Sequence, residues 1–159
     1  MKKVIFVCVH NSGRSQMAEA FAKRLGAGKL IAESAGTEPA DSLNPTVVTA
    51  MREIGYDMSA HHPKMLTLEM ASSADRIIAM GCGVDATACP AAFAPSEDWA
   101  LDDPKGQPIE RVREIRDEIE ARVEKLVGDM SDGRVLSEEL RRLVDQIVDE
   151  HAEVFKELK

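Results

Sequence analysis

The sequence predicts an α/β fold built on a mostly parallel sheet, because short strand-like runs alternate with segments of helical periodicity. The strand candidates are residues 3–7, 30–35 and 76–80. The first of them is a continuous run of β-forming residues, which is typical of a parallel strand buried on both faces. Strands that alternate with helices in this way form βαβ units, in which the strands lie parallel.

Helical signals fill the intervals between the strand candidates. Apolar residues at four-residue spacing give residues 15–25 one apolar helical face. Asn44 and Pro45 are typical of a helix N-cap and first helical residue, and Gly55 is typical of the matching stop. A further short helix is expected at residues 66–71.

The last part of the sequence predicts a long helix followed by a separate extension. The long helix covers residues 112–126, and Gly128 is expected to end it. The Asp-Gly pair at 132–133 is typical of a turn. We therefore expect one domain over residues 1–128 and a C-terminal helical extension over 129–159, which packs on its own domain, dimerises or docks a partner. The apolar residues of this extension keep a three- to four-residue spacing, and they are Leu136, Leu140, Leu143, Ile147, Val154 and Leu158.

Composition narrows the class of protein. The chain has 159 residues, of which 44% are hydrophobic and 30% charged, as in a soluble domain with a sizeable core. A formal net charge of −8 argues against nucleic acid as a partner, and no apolar run is long enough to span a bilayer. The three cysteines, Cys8, Cys82 and Cys89, are too few for a disulfide framework, and no secretory signal precedes the first strand. We therefore expect a cytoplasmic protein with reduced thiols.

A candidate anion-binding loop lies between the first strand and the first helix. A strand-to-helix turn of this kind directs backbone N–H groups into a concave cradle at the positive end of a helix, which fits a tetrahedral oxyanion. Arg14 adds a planar fork of donors, and Asn11 can brace the loop. The side chain of His10 tunes the anion site or points to solvent. The candidate oxyanion-binding residues are Val9, His10, Asn11, Ser12, Gly13 and Arg14.

Cys8 is the candidate nucleophile, because it lies at the end of the strand and under the cradle. The loop N–H groups, the helix dipole and Arg14 favour its thiolate form, and Ser15 can donate a hydrogen bond to it. The alternative is an ordinary buried cysteine, since a C-x5-R spacing alone is weak evidence. The strand end, the Gly and Ser in the turn and the helix directly after favour catalysis.

Cys82 and Cys89 follow the third strand. Loops after parallel strands gather at one edge of the sheet, so Cys82 is expected near Cys8. The alternative is two small apolar core residues. Zinc binding is disfavoured because the spacing of these cysteines is unusual for zinc and because His61 and His62, expected at the surface or in a turn, offer no clear fourth ligand.

Taken together, these residues resemble the low-molecular-weight protein tyrosine phosphatase family, and in particular its thioredoxin-coupled arsenate reductase branch. The resemblance covers the chain to about residue 127, and it implies a three-layer α/β/α fold with a short, mostly parallel sheet of four strands. The similar segments are CVHNSGRSQMAE at 8–19, ESAG at 33–36, Asn44-Pro45, Cys82 with Cys89-Pro90, and WALDDP at 99–104.

The resemblance assigns the general acid to the Asp directly before Pro104, which is Asp103. Cleavage of an oxygen from an oxyanion needs a proton for the leaving group, and a carboxylic acid can supply it. Asp102 is the less favoured candidate, and a solvated acidic turn is the alternative for both. Lys105 occupies the place where the phosphatases often have a Tyr that contacts the substrate.

The resemblance further implies reduction of arsenate to arsenite without a cofactor. Cys8 attacks arsenic, Cys82 attacks Cys8 and releases arsenite, and Cys89 attacks Cys82, so that a Cys82–Cys89 disulfide passes to thioredoxin. Arsenate reduction takes two electrons, which two thiols supply by forming one disulfide, whereas hydrolysis of a phosphate ester takes none. The alternatives are a phosphatase that hydrolyses phosphate monoesters through a Cys8 phosphocysteine, and a non-catalytic oxyanion-binding or redox-sensing module. The sequence leaves the reductant open among thioredoxin, glutaredoxin and a small thiol.

Some reductases of this branch bind potassium beside the cradle. Asn11, Glu19 and Ser34 match three of the ligand positions, and the fourth, usually Asp, falls at Lys64. An ammonium group at that place repels potassium and can substitute for it. The sequence therefore predicts an activity that does not depend on potassium, and no metal site.

Overall fold

The computed structural model of the protein describes residues 1–81 and 96–150. Cys82 and Cys89 lie outside the described residues. The elements are β1 (Lys2–Cys8), α1 (Arg14–Leu25), β2 (Leu30–Gly36), α2 (Pro45–Arg52), α3 (Leu68–Ser73), β3 (Arg76–Ala79), β4 (Ser96–Asp98) and α4 (Ile109–Glu150).

The strands form one sheet in the order β2-β1-β3-β4, and every neighbouring pair is parallel. The predicted four-stranded, mostly parallel sheet is therefore confirmed. Cys8 at the end of β1 is level with Gly36 at the end of β2, and Val7 pairs with Ala79 at the end of β3. The loops that follow β1 and β3 meet at this edge, where parallel α/β sheets hold their ligands.

The side chains of β1 alternate between two apolar cores, which confirms the three-layer arrangement. Phe6 and Cys8 face the larger core, which β1 shares with α1, α2 and α4. Ile5 and Val7 face the smaller core on the opposite side, where Ala71 of α3 packs. Burial on both faces explains the uninterrupted run of β-formers in this strand, and each large side chain buried in this way contributes roughly 1.5–3 kcal/mol.

Two helix starts depend on side-chain caps. Asn44 Oδ1 accepts the N–H of Thr46 at 2.9 Å, which confirms the N-cap predicted for α2. The helix predicted at 66–71 begins two residues later, because Thr67 is its cap and Thr67 Oγ1 accepts the N–H of Met70 at 3.1 Å. The three-residue strand β4 has too short a pattern to be located from the sequence.

The predicted end of the long helix at Gly128 and the predicted turn at 132–133 are wrong. α4 continues without interruption to Glu150. A glycine inside a helix costs only about 1 kcal/mol relative to alanine. Leu126, Val127 and Met130, on both sides of Gly128, are buried in the larger core, and their burial outweighs that cost. No helix among residues 1–81 and 96–150 combines the length and hydropathy needed to cross a membrane.

Two truncations test where the stability of α4 resides. A chain that ends after Asp132 keeps all the α4 side chains that the structure describes as buried, and it is expected to retain its unfolding temperature and its activity. Leu143 and Ile147, which it loses, are 55% and 52% exposed. A chain that ends after Lys125 loses Leu126, Val127 and Met130. We expect its free energy of unfolding to fall by about 2–5 kcal/mol for each large side chain removed. Thermal and urea unfolding measure both effects, and equal midpoints for the two truncations would contradict this account.

Candidate active site

The loop between β1 and α1 has its carbonyl groups turned outward. The carbonyl oxygens of five consecutive residues, 9 to 13, each accept a hydrogen bond at 2.8–3.1 Å. No peptide bond described is cis, and in a planar trans peptide the N–H points opposite to the C=O. The N–H groups of residues 10–14 therefore point into the loop. The donors that hold the carbonyls are the backbone N–H groups of Glu38, Ala40, Asn44 and Met17 and the side-chain amide of Gln16.

Cys8 lies at the centre of this loop, and its side chain accepts two hydrogen bonds. Its Sγ atom is 3.2 Å from the N–H of Asn11 and 2.9 Å from Ser15 Oγ. Asn11 Nδ2 donates to Ser15 Oγ at 2.7 Å, so the hydroxyl hydrogen of Ser15 is left for the sulfur. Donors aimed at the sulfur stabilise a thiolate, which is the nucleophilic form of cysteine.

The backbone of the loop needs a special conformation at Asn11 and a close approach to Gly36. Asn11 has φ +50°, in the left-handed region that Asn adopts more readily than most residues. A Cβ atom on Gly36 would lie 2.6 Å from the carbonyl oxygen of Val9 and 3.0 Å from the nitrogen of Asn11. Only glycine at the end of β2 lets the loop pack against that strand.

Arg14 is fixed from one side and open to the cavity from the other. Its Nη1 atom donates to the carbonyl oxygens of Met80 at 2.8 Å, Gly81 at 3.2 Å and Leu101 at 2.8 Å. Its Nη2 atom is 3.9 Å from a carboxylate oxygen of Asp103. The guanidinium is thus held rigidly at the rim of the cradle, with its second nitrogen toward the candidate acid.

The two candidate acids have different surroundings. Asp103 lines the cavity above Cys8, and its Oδ1 atom accepts the N–H of Lys105 at 2.9 Å. Asp102 is paired with Arg111 of α4 and does not line that cavity. The geometry therefore gives Asp103 access to a bound anion, and its role as general acid stays our proposal.

Two cavities lie side by side at this edge of the sheet. The smaller, of about 20 Å³, contains Cys8, Arg14 and Asp103 in its wall. The larger, of about 610 Å³, is bounded by residues 39–45 together with His10, Ser12, Lys105 and Gly106, and Cys8 does not reach it. Among the described residues that line either cavity there is no Phe, Tyr or Trp. The small cavity is therefore the candidate site of the chemistry, and its mouth is polar.

Asp98 is a positioning residue that the sequence reasoning missed. Its Oδ1 atom accepts the N–H of Gly81 at 2.9 Å and the N–H of Ala100 at 2.8 Å. These bonds tie the end of β3 to the turn that leads to Asp103. The local signal was the preference of Asp for bonding the backbone two residues ahead in a turn.

Protein cations surround the position at which the resemblance implies a potassium ion. Glu19 is 3% exposed, and it lies 3.5 Å from Lys64 Nζ, 3.4 Å from Lys23 Nζ and 3.1 Å from His61 Nδ1. Ser34 Oγ donates to the same carboxylate at 3.2 Å. Burial alone would raise the pKa of Glu19, but the hydrogen bond from His61 and the charges of Lys64 and Lys23 outweigh it and lower the pKa to about 2. These groups do not fit a potassium ion.

The histidines differ from one another in their surroundings. His61 was predicted at the surface or in a turn, and its N–H closes a turn by bonding the Met58 carbonyl oxygen at 3.0 Å. Its side chain is nevertheless only 15% exposed and lies against Glu19 and Gln16, because a buried carboxylate and amide need partners. His62 is exposed, as predicted. His10 Nδ1 donates to the carbonyl oxygen of Glu38 at 3.0 Å, and the residue lines both cavities.

Among the described residues no group of His, Cys, Asp and Glu could hold a metal ion.

An inward-facing ring of N–H groups around a cysteine, with an arginine and a carboxylate at the rim, defines a cysteine-dependent phosphatase-type active site. The chain belongs to the low molecular weight phosphotyrosine protein phosphatase family, whose sequence profile matches residues 3–146. The match continues past residue 127, the predicted end of the resemblance, and so includes much of α4.

Similar proteins within the family are named as arsenate reductases. A glutaredoxin arsenate reductase of Synechocystis sp. is 42% identical over 132 residues, 82% of this chain and 100% of that protein. A solved structure of an arsenate reductase in the phosphate binding state is 42% identical, with a TM-score of 0.72 over 82% of this chain and 100% of that chain. The thioredoxin-dependent arsenate reductase of Corynebacterium glutamicum is 33% identical, with a TM-score of 0.67 over 82% of this chain and 62% of that chain. These similarities place the protein among enzymes.

The carboxylate assignment can be tested by a matched pair of variants. Asp103→Asn is expected to slow turnover by about 10²–10⁴, because it removes the proton donor and leaves the shape unchanged. Asp102→Asn, which loses only an exposed ion pair with Arg111, is expected to have a small effect. Steady-state kcat measures the difference, and a larger loss in Asp102→Asn would show that the wrong carboxylate was chosen.

The cation assignment predicts an activity that is indifferent to potassium. Replacing potassium by sodium at constant ionic strength is expected to leave kcat/KM of the natural chain unchanged, because Lys64 already faces Glu19. Lys64→Asp exchanges the ammonium for a carboxylate and is expected to create a response to potassium. Lys29→Asp, the same change of charge at an exposed position in the turn after α1, is the control. A potassium response in the natural chain would refute the assignment.

Proposed function

We propose that the protein is a cytoplasmic arsenate reductase in which Cys8 is the nucleophile and the loop of residues 9–14 binds the oxyanion. One observation carries the proposal: Cys8 Sγ accepts the hydroxyl of Ser15 and the N–H of Asn11 inside a loop whose other N–H groups face the same cavity. This arrangement holds a thiolate where a tetrahedral anion is also bound. The 42% identity to an enzyme named as an arsenate reductase supports arsenate as that anion.

The polar mouth of the cavity supports an inorganic substrate over phosphotyrosine. Lys105 occupies the place where the phosphatases of this family often have a Tyr, and it lines both cavities. Trp99 is buried in the core against Phe6, with ring centroids 5.8 Å apart, and is not available as an aromatic wall. A small, charged rim suits an anion that carries oxygen on every side and no aryl group.

The first chemical step uses the described residues. The Cys8 thiolate attacks arsenic while Arg14 and the loop N–H groups bind the arsenate oxygens. Asp103 gives its proton to the departing oxygen, which leaves as water, and a Cys8–arsenic bond forms. The mechanism needs these donors in place before the anion arrives, because donors that are already oriented stabilise developing charge without reorganisation.

The second half of the proposed reaction transfers two electrons. The Cys82 thiolate attacks Cys8 Sγ, the sulfur–arsenic bond breaks with its electron pair on arsenic, and arsenite leaves. Cys89 then attacks Cys82 and releases Cys8 as a thiolate, with a Cys82–Cys89 disulfide as the product. Thioredoxin is the proposed reductant of that disulfide. The similar enzymes are named for both thioredoxin and glutaredoxin, so both belong in the test.

A coupled assay tests the function directly. Purified protein with thioredoxin, thioredoxin reductase and NADPH is expected to consume NADPH only when arsenate is added, and glutaredoxin with glutathione is the parallel arm. Cys8→Ser is expected to abolish turnover and to keep its affinity for phosphate, because the loop N–H groups remain. Release of phosphate from an aryl phosphate without any thiol consumption would instead support the alternative, a phosphatase with a Cys8 phosphocysteine. Turnover of more than a few per cent in Cys8→Ser would remove the nucleophile assignment.

The relay is tested by trapping its intermediates. Cys89→Ser is expected to complete one turnover and to accumulate a Cys8–Cys82 disulfide. Cys82→Ser is expected to stop before arsenite is released, because the thiol that attacks Cys8 is missing and Cys89 attacks only Cys82 in the proposed relay. Peptide mapping after one equivalent of arsenate identifies which disulfide forms in each variant. The proposed relay has a physical reason: a protein reductant reaches a Cys82–Cys89 disulfide outside the cradle more easily than a disulfide of Cys8 at the floor of the cradle. Undiminished multiple turnover in Cys82→Ser would exclude the intramolecular relay.

A further inference from the structure

Gln16 is a fully buried polar side chain that touches no part of the cavity. It lies in the first turn of α1, on the side of the loop away from the anion, and its relative exposure is 0%. Its Nε2 atom faces three acceptors: the Asn11 backbone oxygen at 3.1 Å, Asn11 Oδ1 at 3.0 Å and the carbonyl oxygen of His62 at 3.0 Å. Its Oε1 atom accepts a hydrogen bond from His61 Nδ1 at 3.1 Å. The amide is therefore held in one orientation.

The orientation of Gln16 fixes the orientation of the Asn11 amide. Asn11 Oδ1 accepts from Gln16 Nε2 and also from the N–H of Lys64 at 2.9 Å. With its oxygen facing two donors, Asn11 must turn its Nδ2 toward Ser15 Oγ, at 2.7 Å. A reversed Asn11 amide would place a nitrogen against two donors, which costs both hydrogen bonds that Asn11 Oδ1 accepts.

The orientation of Asn11 in turn fixes the direction of the Ser15 hydroxyl. Because Asn11 Nδ2 donates to Ser15, the hydroxyl hydrogen of Ser15 goes to Cys8 Sγ. If the Asn11 amide were reversed, Ser15 would donate to Asn11 Oδ1 and would turn its lone pairs toward the sulfur. A lone pair facing a thiolate destabilises the charge that the loop otherwise stabilises.

We propose that Gln16 is a positioning residue that sets the direction of the hydrogen-bond chain from Asn11 through Ser15 to Cys8, and so keeps Cys8 in its reactive form. Gln16 acts only through Asn11 and Ser15, since it contacts neither the sulfur nor the cavity. The inference rests on the proposed role of Cys8 as nucleophile. It does not depend on which oxyanion is the substrate.

Gln16→Glu reverses the relevant hydrogen bond with little change of shape. An ionised carboxylate only accepts hydrogen bonds, so it would face the two Asn11 oxygens and the His62 carbonyl without a donor. Rotation of the Asn11 amide would relieve that conflict by turning Nδ2 toward residue 16. Gln16→Met removes the donor without adding an acceptor, and it is expected to have a smaller effect in the same direction.

The test measures alkylation of Cys8 by iodoacetamide at neutral pH, with Cys82 and Cys89 replaced by Ser so that Cys8 is the sole thiol. In this background Gln16→Glu is expected to slow alkylation by about tenfold or more, the value of one hydrogen bond to a charged group. Gln146→Glu, the same change at an exposed position on α4, is expected to have no effect. All rates are measured well below the unfolding temperature of each variant.

A double-mutant cycle separates positioning from general destabilisation. If Gln16 acts mainly through the Ser15 hydroxyl, adding Gln16→Glu to Ser15→Ala is expected to slow alkylation much less than it does when Ser15 is present, and the small remainder is the effect of the lost bond to the Asn11 carbonyl. Equal slowing with and without Ser15 would overturn the proposal, as would an unchanged rate in folded Gln16→Glu. If Gln16→Glu does not fold, the same double-mutant cycle is measured with Gln16→Met. An unchanged alkylation rate in Gln16→Met would then overturn the proposal. Arsenate is absent from every arm, so a failure of the proposed arsenate reduction leaves this result interpretable.

Discussion

The active site depends on five peptide groups whose carbonyl oxygens are bonded outward. Backbone N–H groups of the segment between β2 and α2 hold three of them, α1 holds one through Met17, and the Gln16 side chain holds the fifth. Because each carbonyl is fixed on the outside, the N–H groups of residues 10–14 face inward before any ligand arrives. The proposed binding of an anion and the proposed role of Cys8 as nucleophile both rest on this one constraint.

The constraint requires many buried polar groups, and the surrounding sequence satisfies them. Asn11, Ser15, Gln16 and Ser34 are each 0% exposed, and no buried side-chain polar atom among the described residues lacks a hydrogen-bond partner. An unsatisfied buried group costs about 1–3 kcal/mol, so a half-satisfied network would destabilise the domain. Glu19 anchors the network from below, where three nitrogen-bearing side chains surround its carboxylate. The loop is thus supported by polar contacts behind it as well as by the apolar core beneath β1.

The features that could be predicted from the sequence are those with a strong local signal. The β-forming run of β1, the Asn44-Pro45 helix start and the strand–loop–helix placement of Cys8 each depend on neighbouring residues, and each was located correctly. The missed features depend on tertiary contacts. The glycine at 128 and the Asp-Gly pair at 132–133 are ordinary stop and turn signals, but burial of Leu126, Val127 and Met130 keeps α4 helical. His61 gave no sign of its burial, because its partners Gln16 and Glu19 are more than forty residues away along the chain.

The central claim is that the inward-facing N–H groups of residues 10–14 form the oxyanion site, and amide chemical shifts test it most directly. Titration of ¹⁵N-labelled protein with phosphate, and separately with arsenate, is expected to shift the amide signals of these residues together and with one dissociation constant for each anion. The same titration of Cys8→Ser is expected to shift the same signals, because the peptide groups are unchanged. Shifts concentrated at residues 39–45, which line the larger cavity, with the signals of residues 10–14 unmoved, would contradict the account.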